Sequence, residues 1–326
     1  MYRFRLFFVI LCIFFGMKSM AQSKFTRMLH KADSTLSLSY NKVNYDTAYI
    51  SRPEQRFTVK LMANMSRFEI EGKGKDMSAD WKNKPQSSIN IEASYRDLSV
   101  GFGVNISGLG GKKKDYEFNL NNYSNRFSID ASYLVSKSVS GDTRVEDIPY
   151  RLDEGMIKWK ILNITANYTF NYRKFSVPAA FSQSYFQKRS AGSLLAGITY
   201  QRLSLKLMDE YVSDGMDIRQ AVNYLSIGAG YGYNFVPNKR WLFHLSSLPT
   251  LVVYSKDVSR MDGERSKTRV KFPTFIINAR AAIIYNFNRK QFAGITLVGN
   301  KLINREDGIT TEQNKWLAKA FFGFRW

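Results

Sequence analysis

The sequence predicts an all-β membrane protein, an antiparallel transmembrane barrel of about fourteen strands, with twelve as the alternative count. Three observations predict it. Apolar and polar residues alternate with period two over most of the chain, short turns alternate with long charged connections, and the last strand carries an apolar or aromatic residue at every second place.

Taken from the N-terminus, residues 1–21 have the order of a secretory leader. Arg3 and Arg5 precede an apolar run from Leu6 to Phe15, and Ser19-Met20-Ala21 supplies the small residues for cleavage before Gln22. The run is about ten residues, half of what crosses a bilayer as a helix. Cys12, the one cysteine, lies inside it. The remaining 305 or so residues therefore have no disulfide or thiol chemistry. A metal would have to make do with His30, His244 and carboxylates, so neither metal nor cofactor is expected. Without Arg3, Arg5 and Lys18, 45 basic residues face 27 acidic ones, a net charge near +18. Such an excess suits nucleic acid, anionic lipid or acidic substrates, and export argues against nucleic acid.

Residues 22–53 form a segment of their own. Phe25, Met28, Leu29, Ala32 and Leu36 follow helical spacing, with Ser23 as N-cap. This short periplasmic helix could cap the barrel mouth, enter the lumen or rest on the inner leaflet; a frayed linker fits the same residues.

From residue 54 to 326 the chain reads as barrel. Phe57, Val59, Leu61, Ala63 and Met65 alternate with Thr58, Lys60, Met62, Asn64 and Ser66, and comparable ladders recur through Phe275–Phe287. The polar face is rich in Gly, Ser, Asn and Thr, which suits a wet lumen. Ser94–Ser99, Asn171–Ser176 and Thr199–Ser204 are similar units, each with an aromatic residue, a polar turn and an apolar restart. Placed as periplasmic turns, their tyrosines meet the membrane interface. The connections 72–84, 136–155 and 255–271 are long and charged, as outer loops are. Strands then begin near 56, 86, 98, 115, 126, 157, 174, 192, 203, 222, 240, 272, 291 and 314. If the region around 192 and 203 is one strand or a plug, the count becomes twelve.

The last strand puts Trp316, Ala318, Ala320, Phe322, Phe324 and Trp326 on one face. This resembles the closing-strand signal read by the outer-membrane barrel assembly machinery. With the leader, it places the protein in the outer membrane of a Gram-negative envelope. Lipid and glycolipid are then its surroundings, and an envelope protein partner is conceivable.

No catalytic constellation stands out. His244 reads as a lumenal packing residue, and the glycines near 101 and 228 read as a bent wall. The lumen is the richer candidate. Parity points Lys60, Asn64, Glu92, Asp130, Asn167, His244, Asn278 and Arg280 inward, because a Lys or Arg facing lipid at mid-depth costs about 2–4 kcal/mol. They line a water pathway or pair with one another. Gln183, Gln187, Arg189 and Ser190 lie in a stretch that breaks the alternation, expected at the outer end as an inward constriction, a ligand-contact patch or a polar hairpin. Lys112, Lys113 and Lys114, with Lys73, Lys75, Lys82 and Lys84, make the outer loops basic. They are either merely solvated or in contact with glycolipid phosphates.

Asn167–Ser176, continuing through Ala179-Ala180-Phe181 to Gln187–Ser193, resembles the central motif of the family called domain of unknown function 4421. Tyr45–Ile50, in the form Y-D-x-x-Y-I, resembles that family's opening. The resemblance implies an outer-membrane-type barrel over most of the chain and no assigned activity.

Three functional classes follow, in this order: a channel or solute-binding barrel with a basic polar lumen, a non-conducting accessory barrel that binds a protein, lipid or glycan, and a membrane-embedded enzyme acting on lipid.

Overall fold

Alternation decides which face of each strand is wetted, and the wall follows from it. The computed structural model describes residues 44–95, 98–106, 115–208, 219–261, 264–268, 273–306 and 308–326. The expected leader, the helix over 23–38 and Lys112–Lys114 lie outside the described residues.

Eighteen strands are described, β1 (Ile50–Ser51), β2 (Phe57–Lys73), β3 (Met77–Asn83), β4 (Gln86–Tyr95), β5 (Leu98–Asn105), β6 (Tyr116–Tyr123), β7 (Phe127–Ser136), β8 (Val139–Val145), β9 (Ile148–Leu152), β10 (Ile157–Thr169), β11 (Phe186–Gln187), β12 (Ala191–Leu207), β13 (Arg219–Phe235), β14 (Trp241–Met261), β15 (Glu264–Thr268), β16 (Phe275–Asn286), β17 (Gln291–Glu306) and β18 (Ile309–Arg325). One short helix, α1, spans Val177–Phe181. Antiparallel ladders run β6-β7-β10-β12-β13-β14-β16-β17-β18-β2, and from β2 both to β4-β5 and to β3-β8-β9. Two residues separate β7 from β8, and β8 pairs β3 over Met77↔Val145 to Asn83↔Val139. The sheet is thus strongly curled, and the chain between β7 and β8 brings the β3–β8 ladder next to its first strands. Among the described residues β5 and β6 share no ladder.

Along β2, Lys60, Met62, Ser66, Phe68 and Ile70 are buried, while Leu61 and Met65 are 55% and 42% exposed. The outward face elsewhere is of the same kind, with Phe118, Leu194, Ile227, Leu245 and Ile295 exposed. In water each would forfeit about 1.5–3 kcal/mol relative to burial; against hydrocarbon nothing is lost. At the end with the short turns, outward rings touch in series: Trp241 with Phe243 and Tyr285, Tyr285 with Phe287, and Phe287 with Phe322. Phe57 stacks on Trp326, whose N–H and C=O pair with Phe57. Such a belt suits the level of lipid headgroups.

Four expectations are corrected. Residues 191–207 form one strand that pairs β10 from Leu195 through Leu207 without a break, so Thr199–Ser204 is wall and not a turn. The strand expected from 174 is absent, and that stretch is α1 and β11, inside the ring. Sixteen strands of the described residues belong to the main sheet, the hairpin strands β3, β8, β9 and β15 among them. The expected outer loops 72–84, 136–155 and 255–271 are largely hairpins, β2–β3, β8–β9 and β14–β15. The stretch 183–190 lies at the short-turn end, not the outer end, because β11 pairs with β1 beside the first wall strand.

Pro249 sits in the wall, where it supplies no N–H to its ladder. On the neighbouring strand Gly228 pairs with Thr250, and a Cβ on it would come within 2.1 Å of the Pro249 carbonyl, so only glycine permits the strands to approach there.

Candidate functional site

The interior is filled in three layers. Nearest the hairpins are two apolar clusters, Phe68, Leu134, Trp159, Ile161 and Leu203 on one side and Val222, Tyr224, Val252, Ile276 and Leu302 on the other. Trp159 meets Phe68 edge-on at 5.0 Å. Gln201 of β12 donates to Gln313 of β18 at 3.2 Å, spanning the lumen directly.

Below lies a charged belt. Arg280 of β16 reaches Asp130 of β7 at 2.5 Å, and Asp130 also accepts from the Tyr123 hydroxyl. Lys315 of β18 lies 3.2 Å from Glu117 of β6 and donates to Ser132 at 3.0 Å. Lys60 pairs with Glu92 at 2.6 Å. Along the order of ladders the first pair joins strands five places apart and the second strands eight apart, so both span the interior. Around them lies a cavity of about 540 Å³, lined by these side chains with Asn64, Asn163, Asn278, Asn300 and Lys319.

The third layer is a plug. Ser176 caps α1, its hydroxyl accepting from Ala179 N–H at 3.3 Å, and proline stands in the first turn, where its missing N–H costs nothing. Val177, Ala179 and Ala180 are buried, and Phe181 packs against His244 and Tyr123. Gln183 follows with φ 58°, 1% exposed. Its amide oxygen accepts from Lys60 at 3.2 Å, and its backbone carbonyl accepts from Arg325 at 3.2 Å. Gln187 donates to the carbonyls of Lys174 and Arg189, and accepts from Ser176 N–H and Asn234. Ile50, Tyr185, Leu242, Ile284, Phe292 and Phe321 pack with α1 into one apolar core.

The remaining sequence candidates fall around this plug. Asn167 donates to Ser128 at 3.3 Å. Asn278 accepts from Asn300 at 2.8 Å. Ser190 accepts from Val236 N–H at 2.9 Å, and Arg189 lies at the rim over Tyr49. Trp316, Phe322, Phe324 and Trp326 share the outward face, the last three being half-exposed.

His244 is buried and has a partner at each ring nitrogen. Its Nδ1 lies 2.7 Å from Asn234 Oδ1 and its Nε2 lies 2.9 Å from Ser246 Oγ. A nucleophile, a base and an orienting amide are thus aligned. The adjoining void measures about 20 Å³, room for one water and no ester. Asn234 also donates to the Ser176 carbonyl, so as built the array fastens the plug to the wall. Among the described residues no group of three His, Cys, Asp or Glu is placed to hold a metal.

Glu117, Tyr123, Lys315, Lys319 and Arg325 were not singled out from the sequence. Lys315 and Lys319 were findable, since they stand on the face opposite Trp316 and Phe322.

Fold and site together define an antiparallel sheet curled around a plugged, charge-paired interior. The family described as Domain of unknown function (DUF4421) matches residues 44–326, and the chain belongs to it. No curated protein matches the sequence. Among solved structures, the outer membrane protease OmpT from Escherichia coli is similar with a TM-score of 0.48 and 10% identity, over 88% of this chain and all of that one. The outer membrane protein OprG from Pseudomonas aeruginosa gives 0.28 and 8%, over 85% and 98%. The Pseudomonas putida toluene transporter TodX gives 0.26 and 8%, over 84% and 90%. Likeness this distant says nothing of the chain's activity.

Proposed function

We propose that this protein is a sealed outer-membrane barrel that passes no solute and acts through the groups held at its two ends. The plug carries this reading. Residues 175–187 fill the short-turn end, and above them Asp130–Arg280 and Glu117–Lys315 span the interior. The lipid-facing wall, the aromatic belt and the leader expected over 1–21 support placement in the outer membrane, with the short turns toward the periplasm. In the same reading the outward Trp316, Phe322, Phe324 and Trp326 serve the assembly machinery, lipid and glycolipid coat the wall, and an envelope protein docks at an end. The channel reading expected from sequence is disfavoured by the filled cross-section.

Planar-bilayer recording tests this. The unmodified protein gives no unitary current, whereas replacing residues 177–188 with a glycine-serine segment of equal length gives steady steps. Current from the unmodified protein would end the sealed reading.

One observation favours a second reading, a membrane-embedded acyl hydrolase. Ser246 Oγ would attack an ester carbonyl as His244 takes its proton, and the protonated imidazole would then return it to the departing alkoxide. This needs the plug to withdraw, because the present void admits no substrate. A fluorophosphonate probe that labels the protein, but not its Ser246→Ala variant, would favour this reading; no labelling favours the sealed barrel.

A further inference from the structure

Arg325 is, among the described residues, the largest charged side chain that is fully buried, at 1% exposure. It faces inward at the short-turn end of β18. Gly323 prepares its seat, since a Cβ there would stand 2.1 Å from the Phe292 ring. Without one, the ring lies against β18, and the guanidinium rests over it at 4.1 Å and over Phe186 at 4.6 Å. Its hydrogen bonds go to the carbonyls of Gln183 and Arg289, at 3.2 and 3.4 Å. Its Nε–H has no acceptor, and among the described residues no carboxylate lies within ion-pair reach. Two aromatic faces and two carbonyls offset only part of the cost of dehydrating a cation, which is several kcal/mol.

The guanidinium borders a cavity of about 640 Å³ between the plug and the turns at 236–240 and 287–290. Five more cations line that cavity, Lys188, Arg189, Lys239, Arg240 and Arg289, and no acidic side chain does. The carboxylate of Glu54 lies outside the lining and meets Arg289 at 2.8 Å, both groups largely exposed. Lys188 donates to the Thr47 carbonyl and Arg240 reaches the Tyr285 hydroxyl at 3.4 Å, so neither is neutralised. Trp241 and Phe287, members of the outward aromatic belt, form the rim.

We infer that this mouth is a phosphate-binding site, with Arg325 as its buried anchor and Lys239 and Arg240 as its outer clamp. Guanidinium groups suit phosphate because their donors match two oxygens at once. The phosphate comes either from an anionic lipid headgroup, for which the aromatic rim is at the right level, or from a free phosphate of the periplasm.

The full chain in zwitterionic detergent is titrated with inorganic phosphate by calorimetry. In parallel it is reconstituted in phosphatidylcholine vesicles with and without phosphatidylglycerol, and its thermal unfolding is followed. Saturable phosphate binding is expected, weakened about tenfold or more both in Arg325→Gln and in the exposed pair Lys239→Gln/Arg240→Gln, which spares the fold if the first variant does not. A rise in unfolding temperature with phosphatidylglycerol that the paired variant loses, without binding of free phosphate, identifies the headgroup as the source. The converse identifies the free anion. Neither response, or responses equal in the wild type and the paired variant, overturns the inference.

Discussion

Arg280 stands 150 positions from Asp130 in sequence, yet their side chains meet at 2.5 Å across the interior. Removing one partner of such a buried pair strands the other, which costs about 3–5 kcal/mol. Arg280→Ala should lose that much in urea unfolding from micelles, and Arg280→Met with Asp130→Leu should lose clearly less. On the outward face the logic reverses. Ile198, half-exposed near the middle of β12, should cost about 2–4 kcal/mol as arginine when unfolding is measured from a bilayer, whereas a conservative Ile198→Val change should be close to neutral. Parity in the sequence was enough to say which way Lys60, Asp130 or Asn278 faces. It said nothing of depth or of partners across the ring, because those depend on strand stagger. Glu117 and Lys315 were passed over for that reason.

Among the elements, the plug was hidden by mimicry. Asn171–Ser176 shares its aromatic-polar-apolar order with the turn at Ser94–Ser99, and a hairpin restart was the natural reading. A contrary signal stood beside it: serine two residues before proline starts a helix better than it starts a wall strand. Tyr200 to Ser204 mimics the same turn, but ladders to β10 and β13 along its whole length hold it in the wall, tertiary pairing overriding local likeness. The plug's own fastening makes a test. Ser176 donates to Asn125 at 2.7 Å besides capping α1, so Ser176→Ala should cost about 1 kcal/mol or more. Limited proteolysis between 182 and 190 should then quicken about five- to tenfold if cleavage follows local opening.

At the scale of the molecule, the curled antiparallel sheet was legible in the amino-acid order alone, through alternation, turn spacing and the aromatic last strand. Whether its interior is wet or filled was not legible, since the residues that line a water column and those that pair across a closed core are of the same types. The cross-lumen pairs and the plug favour the filled reading, and this is the claim on which the proposed function depends. The sequence offers a direct way to test it, because its one cysteine, Cys12, precedes Gln22. Single cysteines at Ser132 in the cavity, Leu245 on the outward wall and Lys239 at the rim can be exposed to a charged maleimide in reconstituted membranes. A sealed barrel labels only Lys239→Cys quickly, leaves Leu245→Cys to lipid-soluble reagents, and leaves Ser132→Cys unmodified. Labelling of Ser132→Cys at a rate near that of Lys239→Cys would show an open lumen and contradict the account.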